Sequence, residues 1–254
     1  MDTILSVKNL KKEYGEKGNI TEAVNNITFA VERGEFIGIM GASGSGKTTL
    51  LNCIAAIDMA TAGHIIIDQV DVTEMKPRQL SEFRREKIGF IFQDFNLLDT
   101  LTGYENIALA LSIRKTPANQ MDEKIRRGAK ILEVEKVLDK FPYQMSGGQK
   151  QRVAAVRAMV TNPALVLADE PTGALDSKSS RHLLESFETL NQKIEATILM
   201  VTHDAFSASY CKRIIFIKDG IICNEIIRGG EGRRAFFEHI MEQVASLGGE
   251  PDAK

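Results

Sequence analysis

The stretch Phe36-Ile37-Gly38-Ile39-Met40-Gly41-Ala42-Ser43-Gly44-Ser45-Gly46-Lys47-Thr48-Thr49 decides how the rest of the chain is read. Its first five residues form an apolar run without polar alternation, the pattern of a strand buried on both faces of a parallel sheet. Residues 41–48 then match G-x-x-x-x-G-K-[ST], and a helical pattern follows over 47–57. Glycines let successive backbone N–H groups turn inward around phosphate oxygens. Lys47 brings a point charge to the β and γ phosphates, and Thr48 offers a hydroxyl to Mg²⁺. The helix that begins here presents its positive end to the same anion. A glycine- and serine-rich turn ahead of a helix has the same composition. The strand before the motif and the helix after it are the context that a phosphate cradle requires.

Two more apolar runs have the same character. Leu165-Val166-Leu167-Ala168 ends in Asp169-Glu170, with a helical pattern over 178–193, and Thr197-Ile198-Leu199-Met200-Val201 ends in Thr202-His203. Strands alternating with helices predict an α/β fold, in which ligands gather at the carboxyl ends of the strands. Beside a phosphate cradle, Asp169 is placed to hold Mg²⁺ and Glu170 to face a water beyond the γ-phosphate as general base. A strand that simply ends in an acidic turn before Pro171 is the plainer reading of the pair. For His203 the plainer reading is a solvated or hydrogen-bonded turn histidine, and its place at the same sheet edge offers a γ-phosphate contact.

Ser146-Gly147-Gly148-Gln149 precedes a helix carrying Val153, Val156 and Val160 and stopped by Pro163. As S-x-x-Q it reads as a capping box. Two consecutive glycines are costly at a helix start unless something approaches the backbone closely. Lys150 and Arg152 also stand where acidic residues are favoured, which invites an external anion. These features predict a second phosphate-binding helix terminus, supplied in a head-to-tail homodimer if it cannot reach the cradle of its own chain.

The remaining segments read more coarsely. Residues 213–217 and 221–225 flank Asp219-Gly220, a hairpin signal. The stretch 3–31 reads as strands of a second, antiparallel sheet. Residues 100–161 read mostly as helix, punctuated by Pro117 and Pro142, with Pro163 just beyond. In the tail, Phe236, Phe237, Ile240, Met241 and Val244 fall at helical spacing and predict a docked amphipathic helix ending near Gly248.

Composition excludes several classes. The net charge of −2 provides no excess of cations to neutralise a nucleic-acid backbone, so no nucleic-acid partner is expected. No apolar run is long enough to span a bilayer, and the N-terminal residues carry charges where a signal peptide needs its apolar core, so a cytosolic chain is expected. The three cysteines, Cys53, Cys211 and Cys223, lack metal-ligand spacing and read as free thiols. The absence of tryptophan fits poorly with stacking platforms for sugars or single strands.

Together, and in this order over nearly all 254 residues, these motifs resemble the ATPase subunit of an ABC transporter. The resemblance implies a single ATPase domain over 1–254: an α/β P-loop NTPase core with a mainly parallel sheet and an N-terminal antiparallel β subdomain. It places an inserted helical subdomain at about 94–161 and a helical tail at about 229–254. It implies that Tyr14 stacks on adenine and that ATP is held by Gly41, Ser43, Gly44, Ser45, Gly46, Lys47, Thr48, Thr49 and Gln93. Ser146, Gly147, Gly148 and Gln149 complete the nucleotide site across a homodimer closed by ATP, with Ala174-Leu175-Asp176 at the interface. Mg²⁺ falls to Thr48, Gln93 and Asp169, and catalysis to Glu170, His203 and Lys47. For Tyr14 and Gln93 the plainer readings are a packed surface tyrosine and a loop amide. Met145 stands where leucine is usual and Lys150 where glutamine is common. Neither change removes a catalytic group.

Within the family, 89–109 and Asp169-Glu170-Pro171-Thr172-Gly173-Ala174-Leu175-Asp176-Ser177 are similar to the branch of macrolide-export, lipoprotein-release and cell-division ATPases. The regions 90–102, 146–152, 208–220 and the tail are most similar to bacterial ATPases that protect against peptide antibiotics such as bacitracin. The implied partner is an integral membrane permease, with a sensor kinase reached through it. The chain is then expected to be peripheral on the inner face of the plasma membrane. Phe95, Leu97, Leu98, Leu101 and Tyr104 either form a groove for a permease helix or pack within the helical lobe. Three alternatives are weighed. A regulatory, mechanotransmitting partner without net transport keeps the same site. A cytosolic ATPase acting on DNA or ribosomes would carry long coiled coils or two ATPase units. A GTPase would carry N-K-x-D. The chain has none of these last three features.

Overall fold

The protein is described from a computed structural model over residues 2–15 and 19–248. Of the tail, residues 249–254 lie outside the described residues. Two long strands, β1 (Thr3–Tyr14) and β2 (Thr21–Glu32), pair antiparallel. Alternate positions of β2, from Ile27 through Phe29 to Val31, turn inward, as period 2 requires. The chain then enters β3 (Phe36–Met40), all five residues of which are buried. After the helix α1 (Lys47–Ile54), β4 (Ala62–Ile67) returns to pair with β1, and the short β5 (Val70–Asp71) adds an edge. The antiparallel sheet therefore has the order β2-β1-β4-β5. The stretch 3–31 supplies only half of it. The other half lies beyond the glycine-rich loop, where Ala62-Gly63-His64 masks the strand pattern of three isoleucines.

The second sheet is built from β3 together with β6 (Ile88–Ile91), β7 (Leu165–Asp169), β8 (Ile198–Thr202), β9 (Arg213–Lys218) and β10 (Ile221–Ile227). Its order is β10-β9-β3-β8-β7-β6. All neighbours run parallel except β10, which returns from β9 through Asp219-Gly220 at φ +50° and +75°. Successive residues of the central strands face opposite cores. Ile37, Ile39, Leu165, Leu167, Leu199 and Val201 pack with α1 and the antiparallel sheet. Phe36, Met40, Val166, Ala168, Ile198 and Met200 pack against helices on the other face. Burial on both faces explains why these runs lack polar alternation.

Those helices are α3 (Gly103–Ile113), α4 (Ala118–Ile131), α5 (Gly147–Met159) and α6 (Ser177–Ile194); α2 (Pro77–Lys87) precedes β6. α3, α4 and α5 contribute to the same continuous core as the sheet. A single turn, α7 (Ala205–Ala208), follows β8, and α8 (Arg233–Gly248) closes the chain. α1 stops earlier than the 47–57 pattern, because Ala56 takes φ +53° and both Ile57 and Asp58 fold back to donate to the Asn52 carbonyl. α8 docks as expected through Phe236 and Ile240, but Met241 and Val244 are 46% and 39% exposed, so the buried stripe is narrower than the sequence spacing suggests. No helix among the described residues is long and apolar enough to cross a membrane.

Candidate functional site

The strand order lays out the site. Along the carboxyl edge, β3 ends in the glycine-rich loop, β8 in His203, β7 in Asp169 and Glu170, and β6 in Gln93. Residues more than a hundred positions apart become neighbours because parallel strands present the same end to the same side.

At the loop itself, Gly44 and Gly46 take φ +79° and +99°. Gly46 could not be replaced on two counts: a Cβ there would lie 2.2 Å from the Ala23 carbonyl oxygen. The α1 N-cap is Gly46, with no side-chain cap and no acidic residue in the first turn, so the helix's first amides are left to a ligand. Lys47 is 7% exposed and its Nζ donates to the Gly41 and Ala42 carbonyls at 2.8 and 2.7 Å. Burial lowers its pKa, against the opposing pull of Glu170 and Asp169. Ser43 and Thr48 are exposed, while Thr49 is half-buried and Ser45 buried. The Ser45 hydroxyl lacks a hydrogen-bond partner among the described residues.

The two adjacent carboxylates have different partners. Asp169 Oδ1 accepts from the Thr48 hydroxyl at 3.4 Å, and Glu170 Oε1 lies 2.9 Å from His203 Nδ1. Burial first, and the Glu170 charge second, raise the Asp169 pKa, with Thr48 and Lys47 opposing. Glu170 holds φ +44°, a conformation that costs a residue with a side chain roughly 1–3 kcal/mol and that gathers at functional sites. Its N–H donates to Val201 across the sheet at 2.9 Å, which pins the strained turn. His203 is exposed, with a side chain 69% accessible. Gln93 is exposed too, its amide lying against Gly173, where a Cβ would come within 3.0 Å of Nε2. The oxygens of Thr48, Asp169 and Gln93 are a hard donor set of the type that suits Mg²⁺.

Tyr14 sits at the end of β1, 42% exposed. Its pKa is raised, first by burial and then by its hydrogen bond to Asp58. Asp58 is held below its ordinary value: burial opposes this, and the bonds from Lys12 and Tyr14 outweigh it.

The segment 146–149 forms the full capping box. Ser146 Oγ accepts from the Gln149 N–H at 3.3 Å, and Gln149 Oε1 accepts from the Ser146 N–H at 2.9 Å. The reason for Gly148 is internal. A Cβ there would stand 2.7 Å from the Ser179 hydroxyl of α6, so the close approach demanded by this glycine comes from the chain's own packing. At Gly147 the nearest neighbour of a Cβ would be Leu175 at 3.4 Å, which is ordinary contact. None of these four residues makes a side-chain hydrogen bond to the glycine-rich loop among the described residues. The structure thus assembles the cradle, Gln93, the carboxylates and His203, and leaves 146–149 beside Phe95 and the 174–179 segment.

Gln151 is a site residue that the sequence does not reveal. Fully buried, its Nε2 donates to the carbonyls of Phe92 and Pro171, both at 2.8 Å, and so ties α5 to the residue before Gln93 and the residue after Glu170. Only the motif's last glutamine drew notice, and a buried amide two positions on carries no pattern. The apolar residues after Gln93 divide. Leu97 and Tyr104 pack on the core, and Leu98 alone of the five is strongly exposed, at 49%. A groove of about 400 Å³ opens instead between β6 and α3, lined by Phe90, Phe92, Leu109 and Ile113 with Arg85 and Arg157.

With this geometry the comparison with known proteins is direct. Residues 24–173 match the family model described as ABC transporter. The chain belongs to that family. It is an ATP-binding subunit and an ATPase of the ABC type. It is 51% identical to the bacitracin export ATP-binding protein BceA of Halalkalibacterium halodurans, over 97% of each chain. It is 49% identical to the ABC transporter ATP-binding protein YxdL of Bacillus subtilis, over 98% and 96%. Among solved structures, a dimeric post-hydrolysis state of the ATP-binding cassette MJ0796 bound to ADP and Pi superposes with a TM-score of 0.81 at 38% identity, covering 89% of this chain and all of that one. The α/β cassette fold expected from the sequence is thereby established.

Proposed function

We propose that two copies of this ABC ATPase close on two MgATP and power a separate membrane permease that gives resistance to peptide antibiotics. The 51% identity over 97% of both chains to a bacitracin export ATP-binding protein carries this reading. In it, the amides of 41–48 and Lys47 bind the phosphates, and Thr48, Asp169 and Gln93 hold Mg²⁺, which supplies charge neutralisation at the γ-phosphate. Glu170 accepts the proton of the attacking water. His203, 2.9 Å from its carboxylate, orients that carboxylate and faces the γ-phosphate. The positive end of α5 in one copy supports the γ-phosphate held by its partner, so release of phosphate removes the glue of the interface. A dimer is also the assembly named for the MJ0796 cassette.

The permease contact falls in the groove of Phe90, Phe92, Leu109 and Ile113, which reaches Phe92, the residue before Gln93. A permease helix there, and a sensor kinase reached through the permease, would place the chain on the inner face of the plasma membrane. Ile113→Glu and Leu109→Glu are expected to abolish drug resistance and co-purification with the partner permease, while purified ATPase activity stays within about twofold, because exposed positions tolerate charge. Loss of ATPase and of folding together would instead make this groove part of the core. Full ATPase with undiminished resistance would place the permease elsewhere.

A further inference from the structure

Lys12 and Tyr14 are two residues apart on β1 and project to the same side of the strand. Asp58 follows α1 and is anchored to it by its N–H, which donates to the Asn52 carbonyl at 3.2 Å. Both carboxylate oxygens of Asp58 are taken. Oδ1 accepts from Lys12 Nζ at 2.6 Å and Oδ2 from the Tyr14 hydroxyl at 2.5 Å. Lys12 Nζ also donates to the Met59 carbonyl at 2.9 Å, and it stands 4.6 Å from the centroid of the Tyr14 ring. A surface ion pair alone would use one oxygen and leave the tyrosine free. Here Lys12 is 9% exposed and sits against the ring, whereas Tyr14 remains 42% exposed. The hydroxyl is tethered, the ammonium lies over the ring, and the exposed part of the ring is left for a planar partner.

We propose that Asp58 and Lys12 are positioning residues that hold Tyr14 as a fixed platform for the adenine ring of ATP, and that Asp58 ties this platform to the helix carrying the phosphate cradle. The inference rests on the reading of Tyr14 as the adenine-stacking residue. Fixing the ring before the base arrives removes its rotamer freedom from the cost of binding. The ammonium over the ring adds a cation–π contact that resists rotation. Because Asp58 follows the same α1 whose N-terminus faces the phosphates, base platform and cradle keep one spacing.

The test compares binding of MgATP with binding of magnesium tripolyphosphate, which lacks the base, by calorimetry on the full chain. Tyr14→Phe keeps the ring and the Lys12–Asp58 pair and removes only the tether; Asp58→Asn removes the charge; Tyr14→Ala removes the platform. Tyr14→Phe and Asp58→Asn are each expected to weaken ATP about 3–10-fold, the net worth of one ordinary hydrogen bond. Tripolyphosphate should stay within about twofold, and the double variant should bind no worse than the weaker single variant. If Tyr14→Ala weakens ATP while Tyr14→Phe and Asp58→Asn do not, stacking stands and the tether is overturned. Parallel weakening of ATP and tripolyphosphate would mean that Asp58 acts through the cradle or the fold, which also overturns the inference. An unchanged ATP affinity in Tyr14→Ala would remove the stacking reading itself. Tyr14→Phe decides the matter even if Asp58→Asn, which strips a nearly buried lysine of its partner, fails to fold.

Discussion

Two helix starts carry glycine and face anion chemistry, and they are built in opposite ways. At α1 the N-cap is a glycine in the left-handed region with no side chain to cap the first turn, and the loop carbonyls of Gly41 and Ala42 accept from Lys47. At α5 the cap is complete: Ser146 and Gln149 satisfy each other's backbone N–H groups. A terminus without a cap leaves its first amides open to an external acceptor, the arrangement proposed above to receive phosphate at α1. A capped terminus is already stable alone, and only its remaining amides and its dipole are left for another molecule. The difference separates binding from turnover. In the proposed function, the α1 end binds nucleotide within one copy. In the proposed dimer, the α5 end adds what the closed state needs.

The sharpest break lies in the carboxylate that serves both ends. Glu170→Gln is expected to lower ATP turnover about 10²–10⁴-fold, the usual worth of a general base, while ATP stays bound and the dimer persists. Phosphate release and gel filtration with MgATP read this out. A variant that hydrolyses at the native rate, or stays monomeric, contradicts the assignment. Lys47→Ala comes next. It removes a charged donor from the α1 end and should weaken ATP binding about 10–100-fold in calorimetry, with the melting temperature little changed. An unaltered affinity would show that the cradle's amides alone carry the phosphates.

The glycines of the α5 end should separate. Gly148→Ala pushes a methyl to 2.7 Å from the Ser179 hydroxyl and is expected to cost about 1–3 kcal/mol, lowering the melting temperature by roughly 3–10 °C. Ser179→Gly should recover much of that loss. Gly147→Ala meets only ordinary contact and should leave the melting temperature within about 2 °C. Its ATP turnover, which depends on the partner's nucleotide, should nevertheless fall. Equal melting temperatures for the two variants would erase the distinction drawn here.

Much of this site was legible because its residues sit at strand ends. Met40-Gly41, Ala168-Asp169 and Val201-Thr202-His203 each mark an abrupt change from buried apolar to polar, and a parallel sheet carries all such changes to one edge. The β9–β10 hairpin was legible through Asp219-Gly220, whose positive φ angles suit that pair. The strands β4 and β5 were harder, because the partner of β4, β1, lies about 50–60 residues earlier, β5 pairs only with β4, and both patterns are short. The double glycine of α5 was legible as an anomaly, and packing gives Gly148 a second reason. The close approach at Gly148 comes from α6, which no local pattern announces. Gln151 and Asp58 left no trace in the pattern: a buried amide and a turn aspartate acquire meaning only from the carbonyls and the hydroxyl brought to them.

From its residues alone the chain dictates an α/β fold, a phosphate-binding loop, and a carboxylate pair and histidine at the ends of buried strands, because these depend on local periodicity and on chemistry carried by neighbouring positions. Tertiary structure alone decides that Glu170 meets His203, that Gly148 exists for Ser179, that Tyr14 is tethered to the phosphate-binding helix, and that the exposed apolar groove reaches the residue before Gln93. Each of these pairs segments far apart in the chain, and only the packed core sets the distance between them.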